Sequence, residues 1–585
     1  MSHARTPGSL TLIAAFALMS PTLAASPSEQ LGKLFDEYWE SALRHSPTWA
    51  TELGDHRYND QLEDLSEAAY AARLAELEGF LARVRKIAPD GGSPRDQLNA
   101  EIFERVLSDA LAARPMHREW KPLNHLSAFH MSLPLLQVSH PFKTEKDLRD
   151  YAKRLRGFPK QVDDAIACLK QGMAHRHVLP KLIVRKIVPQ IESQLVGRAE
   201  DSELYRPLKS LPDHWSEDAK SAARADVAQA IVRDVVPAYR ALARFVEHEY
   251  LPAARDEVGI WAVPDGDRIY ERAVRLETTT ELTPEEIHRF GLAEIARIEG
   301  EMNQVRKQLS FDGTVAEFIV HMSTHPEYRA TSGEQLVELY GGILERTLPR
   351  LPKLFGRLPK ARCEMKVLES FRAPVAPVAY YNPPAQDGSR PGYYYVNTYQ
   401  PQERVLYIAE ALSLHEAVPG HHLQIALDME NTGLPKFRRH LSFTGYVEGW
   451  GLYSEKLGEE LGCYQDPVRK YGQLAMEAWR AARLVVDTGM HHKRWPREKA
   501  VVYMREHTGL PPLDIDSEID RYIAWPGQAL AYKVGERVIL KLRAEATQRL
   551  GDKFDVRAFH DELLREGAVP LNVLERRMKA WIERQ

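Results

Sequence analysis

The stretch Ser413–Gln424, SLHEAVPGHHLQ, cannot continue as one regular helix. Pro419 lacks an amide hydrogen, and its ring would collide with the carbonyl four residues back, that of His415. Gly420 then admits backbone conformations closed to other residues. The preceding residues Val405, Ile408, Ala409 and Leu412 place His415 and Glu416 on a largely buried helix. Here the helix must widen or break, and the spacing predicts a bulge between Glu416 and His421. Distortions of this kind recur at functional sites.

The chemistry of these residues explains why the break matters. Two His four residues apart on a helix share a face and bind one zinc ion, with the Glu between them as general base. Here His421 stands six residues after His415, about 9 Å up a straight helix and about 120° around it. His422 returns to the right face but lies about 10.5 Å along. Two nitrogens that bind one zinc at about 2.0–2.1 Å are at most about 4 Å apart. A regular helix therefore fails with either residue, whereas a two-residue bulge brings His421 into place. Taken alone, a His-Glu pair on a buried helix is most often a hydrogen-bonded core feature. A third ligand changes that balance. Glu448 follows His421 by 27 residues, in an apolar and aromatic stretch that is costly for an unpaired carboxylate. Glu455, two turns further on, suits the role of a hydrogen-bond partner behind a ligand.

The rest of the chain reads as mainly α. From Ser28 to Ala262 helical periodicity dominates, broken by turn clusters near Pro89 and Pro212. At LTPEEIHRF, Thr283 caps a helix, Pro284 suits its first turn and Glu286 completes a capping box. Its apolar face runs Ile287, Gly291, Ile295, Ile298 and Met302. Between Cys363 and Gln400, short Val- and Tyr-rich runs flank turn formers, which predicts a small antiparallel sheet or β-hairpin next to the site helix. The GYYYVNTY strand is a candidate for pairing with an extended peptide by edge addition. The chain divides into a signal segment (1–25), an N-terminal helical region (26–270) and a zinc-binding catalytic region (271–585), the last two forming one cleft.

Composition excludes whole classes of function. Of 585 residues, 44% are hydrophobic and 27% charged, with a net charge of −4. This balance gives no electrostatic basis for nucleic acid or an anionic membrane as the principal partner. His3 and Arg5, the apolar run LTLIAAFALMS and the small residues after Pro21 form a secretory signal pattern. Cleavage is expected after Ala24 or Ala25, giving a secreted or periplasmic protein with no integral membrane segment. Cys168, Cys363 and Cys463 are read as buried thiols, with one long-range disulfide open to them.

Four motifs in order, HEAVPGHHLQ, EGWGLYSE, DTGMHHKRW and PGQALAYKVG, resemble the domain-of-unknown-function family numbered 885 over nearly the whole mature chain. That family is grouped with the gluzincin metallopeptidases, whose relatives include angiotensin-converting enzyme and the thimet-type oligopeptidases. The resemblance implies a helical zincin-like fold and one Zn²⁺ per chain, held by His415, His421 and Glu448, with Glu416 as general base. The two-residue insertion relative to His-Glu-x-Gly-His leaves His421 and His422 as alternatives for the second ligand. His491 and Tyr532 are candidate oxyanion donors. Tyr394, Arg521, Tyr522 and Lys533 are candidate substrate contacts, the cations for a substrate carboxylate. The implied activity is zinc-dependent peptide hydrolysis outside the cytoplasm. Hydrolysis of a small non-peptide amide and an inactive peptide-binding protein are the alternatives.

Overall fold

The computed structural model describes residues 25–87, 92–368, 373, 377–385, 388 and 390–585. The predicted signal segment thus lies, up to Ala24, outside the described residues, as does the turn at Pro89. The protein is mainly α, with one three-stranded sheet. No helix among the described residues is long and apolar enough to cross a membrane.

Helix α1, Pro284–Gln308, starts as its sequence dictates. Thr283 accepts from the Glu286 amide, and the Glu286 side chain reaches back to the cap. Its face of Ile287, Gly291, Ile295, Ile298 and Met302 is buried. Against it lies α5, Pro467–His491. This helix is buried almost all round, which suits an internal strut between cores. Leu474 and Ala478 join one apolar core with the helices of residues 123–254. Met476 and Leu484 join a second core, which also packs the site helices and the C-terminal helices. Both cores draw residues from either side of position 270. A smaller core joins the first helices to Phe437.

The sheet differs from the predicted antiparallel one. Its order is β1 (Cys363–Val367), β3 (Gly392–Val396), β2 (Ala379–Asn382). β2 and β3 pair antiparallel, with Tyr381 opposite Tyr394, but β1 and β3 run parallel. The expected hairpin is there, and β1 adds to its far side through a long connection, which allows the parallel sense. GYYYVNTY is thus the central strand, hydrogen-bonded on both sides. Edge addition of a peptide to it is ruled out, and β1 and β2 are the edge strands instead.

All three cysteines are buried and free, so no disulfide forms.

Candidate metal centre

Three helices and the β2 edge build the site. Helix α2, Ala409–Glu416, ends immediately after His415 and Glu416. Helix α3, His421–Glu430, restarts with His421 at its first turn. Between them the chain breaks outright rather than bulging within one helix: Ala417 and Gly420 leave helical geometry, with ψ of −103° and −127°. The Val418–Pro419 peptide bond is cis. The His422 amide reaches back five residues to the Ala417 carbonyl at 3.0 Å. Gly420 is required here for space, since a Cβ would lie 1.9 Å from the His415 carbonyl oxygen. The indole of Trp450 donates to the Pro419 carbonyl at 2.9 Å and pins the break.

Helix α4, Thr444–Leu457, lies across α2 and supplies Glu448. It touches α7, Ala531–Leu550, nearly backbone to backbone at Gly449 and Gly535. A Cβ on Gly451 would come within 2.8 Å of the His415 ring, so a small residue is what lets α4 seat that imidazole.

The donor atoms of His415, His421 and Glu448 all lie within 4.8 Å of one another. Glu448 Oε2 is 3.4 Å from His415 Nε2 and 3.5 Å from His421 Nε2. A tetrahedral zinc with ligands at about 2.1 Å has donor separations of about 3.4 Å, so these two spacings fit a metal. The imidazole planes stand at 85° with centroids 4.7 Å apart. Behind the cluster, His415 Nδ1 donates to Glu455 Oε1 at 2.9 Å, which fixes the ring and leaves Nε2 facing the cluster. Arg480 Nη2 lies 3.6 Å from the same Glu455 oxygen.

The electrostatics point the same way. Burial opposes a charge on His415, yet Glu448 and Glu455 more than offset it and raise its pKa to about 9. Burial also works against the Glu448 charge, but the two imidazoles hold that carboxyl well below the usual range. The imidazoles and the carboxylates thus stabilise one another's charged forms across the cluster.

His422 points elsewhere. Its Nε2–H donates to the Ala361 carbonyl at 3.1 Å, and its Nδ1 accepts from the Tyr381 hydroxyl at 3.0 Å. Burial lowers its pKa to about 4. The structure therefore brings His421, not His422, beside His415 and Glu448. Glu416 Oε2 accepts from the Tyr381 amide of β2 at 3.1 Å. The Tyr532 ring, on α7, is nearly parallel to His415, with centroids 6.3 Å apart. Its hydroxyl accepts from Arg521 at 3.1 Å.

The other predicted contacts serve the scaffold. His491 is fully buried: Nδ1 accepts from the Ile260 amide and Nε2 donates to the Tyr522 carbonyl, both at 3.0 Å. Burial lowers its pKa to about 3, leaving a neutral ring with no free nitrogen. Tyr394 is buried behind α2 and bonds the Ser413 hydroxyl at 3.1 Å. Tyr522, on the helix α6 (Pro512–Ala524), accepts from Arg483 at 2.8 Å and donates to Glu518. Lys533 is enclosed by Glu477, Glu536 and Glu294. Arg521 faces Glu518 as well as Tyr532.

Sequence reasoning missed Tyr381, Arg480 and the glycine at 451. Arg480 had a signal, since it interrupts the apolar stretch AMEAWRAARLVV. The Tyr381 contact is made by a backbone amide, which leaves no mark in side-chain pattern.

Fold and site together define a mainly α protein whose broken helix and crossing helix converge a His-His-Glu cluster next to a Glu and a sheet edge. The profile described as "Bacterial protein of unknown function (DUF885)" matches residues 47–578, and the chain belongs to that family. The chain is similar to a solved structure described as "the putative lipoprotein from Colwellia psychrerythraea", with 32% identity and a TM-score of 0.91. That match covers 96% of this chain and 100% of the other. A second structure, "a putative lipoprotein of unknown function from Shewanella oneidensis", shares the fold at 19% identity and a TM-score of 0.71, over 95% of this chain and 100% of that one. No match was found among curated proteins.

Proposed function

We propose that this protein is a zinc-dependent peptidase acting outside the cytoplasm. The observation that carries the reading is the convergence of His415, His421 and Glu448, with Glu416 on the same helix end as His415. Those three side chains would hold Zn²⁺ through Nε2, Nε2 and Oε2. A zinc so bound supplies Lewis-acid polarisation of a carbonyl and a more acidic water.

The chain's own residues do the remaining work. Glu416, held by the Tyr381 amide, accepts the proton of the attacking water and passes it to the leaving amine. Glu455 keeps the His415 tautomer fixed through each turnover. Tyr532, oriented by Arg521, donates its hydroxyl hydrogen toward the oxyanion. The β2 edge next to Glu416 aligns an extended substrate backbone, which favours peptides over compact amides. Lipoprotein descriptions of the two solved relatives and the signal pattern of residues 1–25 support an extracytoplasmic location.

The purified protein is expected to carry one zinc per chain by elemental analysis and to cleave members of a peptide library, with a chelator stopping cleavage and zinc restoring it. A metal-free protein, or one that hydrolyses only small amide metabolites, overturns the reading.

A further inference from the structure

A cavity of about 300 Å³ is lined by residues of the Met116–Ser127 segment, Val178–Pro180, Arg255, the helix Gly266–Thr278 and Ile523–Pro526. None of the residues assigned to the metal centre lines it. Its walls are mostly apolar, with Leu123, Val178, Ile260, Ile269 and Trp525 among them. Its charged lining is of one sign: Arg118, Lys121 and Arg255, with no acidic side chain.

Those cations are only partly offset by carboxylates outside the lining, Glu257 for Arg255 and Glu119 for Lys121. Arg255 Nε and Nη1 donate to the carbonyls of Val178 and Gly259, at 3.2 and 2.8 Å, which satisfy its hydrogens without cancelling its charge. Lys121 has no side-chain hydrogen bond or ion pair among the described residues. Burial and the neighbouring Arg255 lower its pKa to about 8, and Glu119 only partly opposes them. His177 feels the Lys121 charge, together with those of His117, His175 and Asp265. A half-buried ammonium whose burial is only partly offset is costly, and a chain that keeps one facing a largely apolar cavity has a place for an anion with an apolar body.

We propose that this cavity binds an organic carboxylate with a compact apolar body, its carboxylate on the Lys121 ammonium and its hydrocarbon against Ile269 and Trp525. The cavity size matches a small amphiphile better than a bare inorganic anion, for which the apolar walls offer nothing. This inference stands apart from the peptidase reading.

Calorimetry at pH 7 with 4-phenylbutyrate tests it, with 4-phenylbutanol and inorganic phosphate as comparison probes. One molecule of 4-phenylbutyrate is expected to bind per chain, with the alcohol and phosphate each weaker by about tenfold or more, as loss of a charged hydrogen bond or of apolar burial implies. Lys121→Met should weaken 4-phenylbutyrate by about tenfold or more, with a melting temperature at or above that of the parent protein as the folding control, since the change removes a costly buried charge. Should that variant not fold, Ala273→Leu, which fills the cavity, should block binding. His421→Gln, which disables the metal cluster, should leave the affinity unchanged. Failure of 4-phenylbutyrate to bind, equal binding to Lys121→Met or Ala273→Leu, or loss of binding in His421→Gln overturns the proposal.

Discussion

Two buried charge clusters sit on neighbouring helices, and they are built to opposite ends. Around Lys533, one ammonium lies 2.5 Å from Glu477, 2.5 Å from Glu536 and 2.9 Å from Glu294. Lys456 and Arg297 reach the same Glu477 oxygen as Lys533 does. Cations and carboxylates face one another, and the central groups are 1–2% exposed. Around His415, two imidazoles and a carboxylate face a common point, with exposure rising from 2% at His415 to 12% at His421 and 20% at Glu448. The first cluster is closed by its own partners. The second turns its donor atoms toward one another on a partly open side. Burial and charge alone thus do not distinguish the two; the convergence of donor atoms on a partly open side does.

The largest effect that should separate the two clusters is on turnover. Glu416→Gln keeps the shape and the Tyr381 contact but cannot take a proton, so peptide cleavage should fall about 10²–10⁴-fold while one zinc per chain remains. Steady-state rates beside elemental analysis check this, and an unchanged rate would remove Glu416 from the chemistry.

Lys533→Met probes the closed cluster. It takes from buried Glu536 its near ammonium, while Glu477 keeps Lys456 and Arg297, so stability should drop by about 3–5 kcal/mol, read from denaturant unfolding. Zinc content of the folded protein should stay at one per chain. A loss of zinc without a loss of stability would reverse the roles assigned to the two clusters.

Glu455 is the point where the metal centre leans on the scaffold. Glu455→Gln turns the acceptor behind His415 into a weaker, uncharged partner, and zinc affinity should fall about 10–100-fold. Competition against a chromophoric chelator measures it. Unchanged affinity would mean that Gly451 and the packing of α4 hold the ring unaided.

Much of this was legible in the sequence because local chemistry dictated it. The Pro419–Gly420 break, the Thr283 capping box and the apolar face of α1 rest on steric and periodic rules that act within a few residues. What failed depended on distant parts of the chain. The parallel sense of β1 is set by where a long connection returns. A motif of the resemblance made His491, and proximity in sequence made Tyr522 and Lys533, look like site residues, but helix phase turned them toward Ile260, Arg483 and Glu477. Where the predicted bulge is a full break, Trp450, 31 residues away, holds the Pro419 carbonyl, a contact that no local rule foretells.

The finest test lies between two adjacent histidines. His421 and His422 differ by one step around the first turn of α3, and that step sends one ring toward Glu448 and the other toward Tyr381 and Ala361. His421→Gln should abolish stoichiometric zinc, since it removes one of three protein ligands. His422→Gln should keep one zinc per chain and cost about 1–2 kcal/mol of stability, because a buried ring with two hydrogen bonds is replaced by a side chain that satisfies them less well. Equal zinc loss in both variants would show that the break is fluid enough to exchange the two rings. Retention in His422→Gln alone ties the ligand set to the geometry that Gly420 and Trp450 impose.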